Sequence, residues 1–106
     1  MPKYLETQAD FDEALKNAGD KVVVIDFTAS WCGPCQMIGP KFEAMSQEFT
    51  SLDFYKVDVD KNDETAERQG IQAMPTFQFF KNGKKIDDMR GANEAKLREM
   101  IQKYAK

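Results

Sequence analysis

The sequence predicts an α/β fold: a mixed β-sheet with helices on both faces. Three observations carry this. Strand-like and helix-like stretches alternate along the chain in the order β-α-β-α-β-α-β-β-α. The run Val22-Val23-Val24-Ile25-Asp26-Phe27 is β-branched without polar alternation, as in a strand covered on both sides. Asn82-Gly83, between the last two strand-like stretches, is the dipeptide a tight type I′ hairpin needs. The hairpin must be antiparallel, whereas the earlier β-α-β alternation implies parallel crossovers.

Lys3 to Glu6 reads as a short edge strand. Thr7 has the chemistry of a helix N-cap, with Asp10 three positions on. Phe11, Leu15 and Ala18 follow at helical spacing, and Gly19 ends the helix. After the central strand, Ser30 to Cys35 turns the chain into a second helix, with Pro34 in the first turn, where a missing N–H costs nothing. Ile38, Phe42, Met45 and Phe49 form its apolar face, and Pro40 inside that pattern is expected to kink it. Phe54 to Val59 is a second internal strand with Tyr55, Val57 and Val59 on one face. Asp63 to Gln69, ended by Gly70, is a short helix. Thr76 to Phe80 is a strand, and Lys85 to Arg90 returns as a more polar edge strand. Asn93 caps a last helix carrying Leu97, Met100, Ile101 and Tyr104 on one side.

The chain's 106 residues suit one domain, 1–106, large enough to fold without a metal or disulfide staple. A net charge of −3 and the absence of a basic cluster argue against nucleic acid as a partner. No apolar run reaches membrane-spanning length, and Met1 to Asp10 lacks the core of a secretory signal, so a cytoplasmic protein without membrane association is expected. A monomer is expected. The chain has two cysteines and no histidine, which removes Ser–His and Cys–His catalysis and any closed Cys/His zinc site built from one copy.

Both cysteines fall in Trp31-Cys32-Gly33-Pro34-Cys35, between the buried strand and a helix start. A thiolate at Cys32 faces unpaired helix N–H groups and the positive end of the dipole, which lowers its pKa. Cys35 lies about one helical turn later and points inward. Two blander readings compete. A structural staple closing so short a loop restrains the unfolded chain by only roughly 2 kcal/mol. Half of an intermolecular zinc site is the other. The βαβ surroundings favour a redox pair over both.

These residues resemble the thioredoxin family, its animal cytosolic branch in particular. The resemblance rests on Asp26-Phe27-Thr28-Ala29-Ser30-Trp31-Cys32-Gly33-Pro34-Cys35, Val57-Asp58-Val59-Asp60, Met74-Pro75-Thr76-Phe77-Gln78-Phe79-Phe80, Asn82-Gly83 and Gly91-Ala92-Asn93, and covers nearly the whole chain. It implies the thioredoxin fold, a five-stranded mixed sheet flanked by four helices. It implies a protein-disulfide reductase and electron carrier of cell redox homeostasis, with no bound cofactor or metal but a redox-active disulfide. Its implied partners are an NADPH-dependent thioredoxin reductase and disulfide-containing proteins such as peroxiredoxins, ribonucleotide reductase and methionine sulfoxide reductases.

Asp26 matches the family's buried catalytic acid. From the residues alone it is a carboxylate in an apolar strand, on the face shared with Val22 and Val24. Burial without a cation raises its pKa and lets it exchange a proton with Cys35; a strand-end carboxylate in water is the open alternative. Lys56 matches a lysine that some relatives place near this acid and animal relatives often lack. Pro75 matches the family's cis-proline, which turns the Met74 backbone toward a substrate strand; a plain strand-start proline is the alternative. Trp31 reads as a partly exposed apolar lip beside Cys32, because the flanking segment is a turn, with a core tryptophan as the alternative; Gly33, Pro34, Val59, Ala73, Met74, Gly91 and Ala92 are expected around it as the docking surface. Asp58, Asp60 and Asp63 form an acidic rim or are simply solvated. The chain departs from mammalian relatives at Asn62, Gln69 and Ala73, where those carry cysteines, and at Gln36, where a lysine is common.

A thioredoxin-type pKa of about 7, taken over from the family, makes about half of Cys32 thiolate at neutral pH, against about 3% for a free thiol near ~8.5. Lower basicity gives back roughly fivefold in nucleophilicity, leaving about a threefold gain. Proximity of the second thiol must supply the rest. Two other functions fit the motif. A secretory oxidase or isomerase usually has a histidine inside the pair, where this chain has Gly33-Pro34. A redox-gated binding module would use the thiols only to switch affinity.

Overall fold

The structure is a computed structural model and describes residues 2–106. The elements are β1 (Lys3–Tyr4), α1 (Gln8–Asn17), β2 (Val23–Thr28), α2 (Gly33–Glu48), β3 (Asp53–Asp58), α3 (Asp63–Arg68), β4 (Thr76–Lys81), β5 (Lys84–Arg90) and α4 (Glu94–Tyr104). The sheet order is β1-β3-β2-β4-β5. β1 and β2 flank β3 in parallel; β4 is antiparallel to β2, and β5 to β4.

The central place of β2 explains its composition. All of its residues are buried. Val22 and Val24 join Ile38, Phe42 and Met45 of α2 and Leu97 and Ile101 of α4 in one cluster. Val23, Ile25 and Phe27 join Phe11 and Ala14 of α1 with Val57 on the other face. Side chains alternate between two apolar layers, so no polar alternation shows in the sequence. α3 lies beside α1, and its Thr65 hydroxyl donates to Gln8 Oε1 at 2.9 Å.

The helix ends follow the expected chemistry. Thr7 Oγ1 accepts from Asp10 N at 3.0 Å, and Asn93 Oδ1 from Lys96 N at 3.0 Å. Asn82 and Gly83 take φ of 52° and 78°, the left-handed pair a type I′ turn requires.

Some boundaries differ. The first strand ends at Tyr4, not Glu6, because Asp10 Oδ2 takes the Glu6 N–H at 3.2 Å in the capping arrangement. β5 begins at Lys84 and carries a bulge: Phe79 pairs with Asp87 and Phe80 with Lys85. Ile86 is the extra residue, which accounts for a large apolar side chain exposed on an edge strand. α2 is one helix across Pro40; that residue sits on the exposed side, while Ile38, Phe42 and Met45 hold the other side in the core.

Candidate functional site

The strand-to-helix turn is built around Ala29. Its carbonyl accepts from Cys32 N at 3.2 Å and from Gln36 Nε2 at 3.0 Å, tying the end of β2 to the first turn of α2. Cys32 thereby becomes the N-cap of α2, with extended backbone (φ −92°, ψ 108°) and Gly33 and Pro34 opening the helix. Its Sγ accepts a hydrogen bond from Cys35 N at 3.2 Å. A sulfur thus stands where a cap oxygen ordinarily does, facing N–H groups the helix leaves unpaired. Cys32 and Cys35 form a disulfide, with Cα atoms 5.3 Å apart. Both are low in exposure, Cys32 at 6% and Cys35 at 2%, so Cys32 is the more accessible of the two.

Three loops meet this turn. The Met74–Pro75 peptide is cis, and the Met74 carbonyl oxygen lies 3.8 Å from Cys32 Sγ. Val59 and Met74 pack against the cluster of Ala29, Cys32 and Cys35. Gly91 N donates to Pro75 O at 2.8 Å, bringing Gly91 and Ala92 alongside, and the Thr76 hydroxyl donates to Ala73 O at 2.6 Å. Trp31 is 66% exposed, and its Nε1 donates to Asp60 Oδ2 at 2.8 Å. Asp58 Oδ1 in turn accepts from Asp60 N at 2.9 Å, so two of the three expected rim carboxylates have structural partners.

Asp26 lies in β2 at 1% exposure, and neither carboxyl oxygen has a hydrogen-bond partner among the described residues. Burial pushes its carboxyl up from 3.8 to about 7, opposed by the positive charge of Lys56 and reinforced by the negative charge of Glu43. The expected burial is there, but the expectation of a site without a cation is not met. Lys56 pairs in register with Asp26 across β2 and β3 and is itself 9% exposed. Its Nζ bonds Glu43 Oε2 of α2 at 3.2 Å.

The structure thus brings Cys32, Cys35, Trp31, Gly33, Pro34, Val59, Ala73, Met74, Pro75, Gly91 and Ala92 to one end of the sheet, with Asp26 inside β2. Sequence reasoning missed Met37, 73% exposed, which with Ile38, Lys41, Ala92 and Glu94 lines a depression of about 140 Å³ beside the Gly91–Ala92 segment. Its signal was an apolar residue out of phase with the Ile38–Phe42 face. It also missed Glu43, and Asp60 as the partner of Trp31. For Glu43 the readable hint was a lysine on the same strand face as Phe54. Nothing local pointed to Asp60, 29 residues from its partner. Asn62 is no vacant cysteine position: it caps α3 through Thr65 N and donates to Leu5 O at 3.0 Å. Among the described residues no group of three or more His, Cys, Asp or Glu could hold a metal ion, and no helix is long and apolar enough to cross a membrane.

The sequence model of the Thioredoxin family matches residues 3–103. The chain is 66% identical over 104 residues to a thioredoxin of Geodia cydonium, covering 97% of this chain and 98% of the relative. It is 48% identical over 101 residues to the thioredoxin of Homo sapiens, covering 95% and 96%. Among solved structures, that of Fasciola hepatica thioredoxin superposes with a TM-score of 0.94 at 46% identity, covering 96% of this chain and 98% of the other.

Proposed function

The chain belongs to the thioredoxin family and is a thiol–disulfide oxidoreductase; on that premise we propose that Cys32 attacks disulfides in target proteins, Cys35 resolves the intermediate and Asp26 takes the Cys35 proton. The observation that carries the assignment of roles is the capping geometry, with Cys32 Sγ at the helix start receiving the Cys35 N–H at 3.2 Å. Reduced, that sulfur is held as a thiolate by the same donor and by the positive helix end.

The Cys32 thiolate attacks one sulfur of the target disulfide, forming a mixed disulfide and releasing the other sulfur as a thiolate, which takes a proton from water. Cys35 gives its proton to the Asp26 carboxylate and attacks Cys32 Sγ. The Cys32–target bond breaks, the target leaves as a second thiolate, and the Cys32–Cys35 disulfide remains. Two electrons have passed from the dithiol to the target. A group titrating at about 7 is half ionised at neutral pH, so it both accepts the Cys35 proton and returns it on re-reduction.

Docking falls to Trp31, Gly33, Pro34, Val59, Ala73, Met74, Gly91 and Ala92. The Met74 carbonyl, 3.8 Å from Cys32 Sγ, supports pairing of an extended target segment beside the reacting sulfur. We assign re-reduction to an NADPH-dependent thioredoxin reductase. Peroxiredoxins, ribonucleotide reductase and methionine sulfoxide reductases are the proposed targets and the cytoplasm the proposed compartment, both inferred from the family.

The direct test is reduction of a protein disulfide, with a small dithiol as regenerating reductant, by the parent chain and by Cys32→Ser. The parent turns over catalytically and Cys32→Ser does not exceed the dithiol alone. Turnover by Cys32→Ser at the parental rate removes Cys32 from the attacking role.

A further inference from the structure

Lys56 is a buried ammonium with a choice of partners. Strand register sets it beside Asp26. Yet its Nζ lies 3.2 Å from Glu43 Oε2 on α2 and 5.3 Å from the centre of the Tyr4 ring on β1. Both Asp26 oxygens are left without a partner at 1% exposure. A buried carboxylate and ammonium side by side ordinarily pair, and a buried carboxyl left alone favours its neutral form. Something must hold the ammonium off. Glu43 can do so because its side chain keeps 25% of its surface in water, so pairing there does not require drying both charges fully. The Tyr4 ring draws the ammonium toward the same edge of the sheet.

We propose that Glu43 is a positioning residue for Asp26: it holds the Lys56 ammonium toward the β1 edge and so leaves the buried carboxyl unpaired and able to carry a proton. The other groups around Asp26 do not compete for the cation. β4 presents Phe77 at the cross-strand position, and α4 contributes Leu97 and Ile101 to the cluster on that face. From α2 the titratable groups are Glu43 and, in the reduced protein, the Cys35 thiol; from β3 there is Lys56. The consequence for turnover rests on the proton-accepting role of Asp26 proposed above.

The test is a carboxyl-carbon NMR titration of Asp26 in the disulfide form of the chain, which reads the group whether or not it takes part in the reaction. In Glu43→Gln the released ammonium turns to Asp26, and the midpoint falls by about one pH unit or more. With Lys56→Met added, the midpoint returns to or above the parental value. Glu43→Asp keeps it near the parental value. Tyr4→Leu, at a half-exposed position and so with less risk to folding, moves it in the same direction as Glu43→Gln by less. An unmoved midpoint in Glu43→Gln, or a fall that persists once Lys56 is replaced, overturns the proposal. The pH profile of mixed-disulfide resolution is read in parallel. If it fails to follow the NMR midpoint, Glu43 still positions Lys56, and the role of Asp26 in proton transfer is what falls.

Discussion

Asp26 has a measurable cost as well as a proposed role. Its native pKa of about 7 lies above the ordinary 3.8, so between those values the native chain holds a proton the unfolded chain has lost. Stability drawn from this group is therefore present at low pH and declines as pH rises toward 7. The full difference is on the order of 4 kcal/mol. Asp26→Asn should be no more stable than the parent near about pH 4, yet more stable by a few kcal/mol near about pH 8 in denaturant titrations. An equal difference at both pH values contradicts the assigned shift. For Trp31, the bond to Asp60 fixes an exposed ring next in sequence to Cys32. Asp60→Ala should raise KM for a protein disulfide by about threefold and leave reduction of a small disulfide unchanged in steady-state assays. At this scale the cysteines were legible, because their spacing is a local signal; the apolar strand left the burial of Asp26 open against a carboxylate in water, and the family resemblance favoured burial. The ion pair of Lys56 with Glu43 was not, because it joins a strand and a helix whose relative rotation the sequence leaves open.

Among the elements, α2 does most to define the site. Its start is set by Ala29, Cys32 and Pro34; the first-turn place of Pro34 was readable from the chain, while the capping by Cys32 and the bonds to the Ala29 carbonyl are set by the fold of the turn. α3 depends on one side chain more than its polar sequence suggests. Asn62 is 4% exposed, caps the helix through Thr65 N and holds Leu5 O, linking α3 to the segment after β1. Asn62→Ala loses the cap and strands a buried carbonyl, so thermal denaturation should show a loss of about 2–3 kcal/mol. Asn93→Ala, at an exposed cap, should lose about 1 kcal/mol. Equal losses would place the Leu5 bond outside the account. The helices and long strands were legible because capping and periodicity are written in consecutive residues. The bulge at Ile86 was not, because the sequence there reads as an uninterrupted polar strand and only pairing with β4 reveals the extra residue.

The whole molecule is organised so that one end of the sheet gathers four segments distant in sequence: the β2–α2 turn, Val59 after β3, Met74–Pro75 before β4 and Gly91–Ala92 after β5. The order of elements and the antiparallel hairpin followed from alternation and from Asn82-Gly83. The strand order β1-β3-β2-β4-β5 did not, since alternation alone does not say on which side of β2 each later strand settles. The proposed reaction is two-stage, because one cysteine attacks and the other resolves, and the stages separate by mutation. Cys35→Ser should accumulate a one-to-one mixed disulfide with a target protein, seen by intact mass, whereas Cys32→Ser should form far less. Failure to trap it under conditions where the parent turns over contradicts the scheme. Underneath all of this is one physical claim, that the open end of α2 holds Cys32 as a thiolate while Cys35 stays protonated behind it. The measurement closest to that claim is the pH dependence of alkylation of the reduced protein, with the modified cysteine identified by mass. The account predicts that Cys32 reacts first, with a midpoint at least about one unit below the ~8.5 of a free thiol. A midpoint at or above that value, or earlier modification of Cys35, would contradict it.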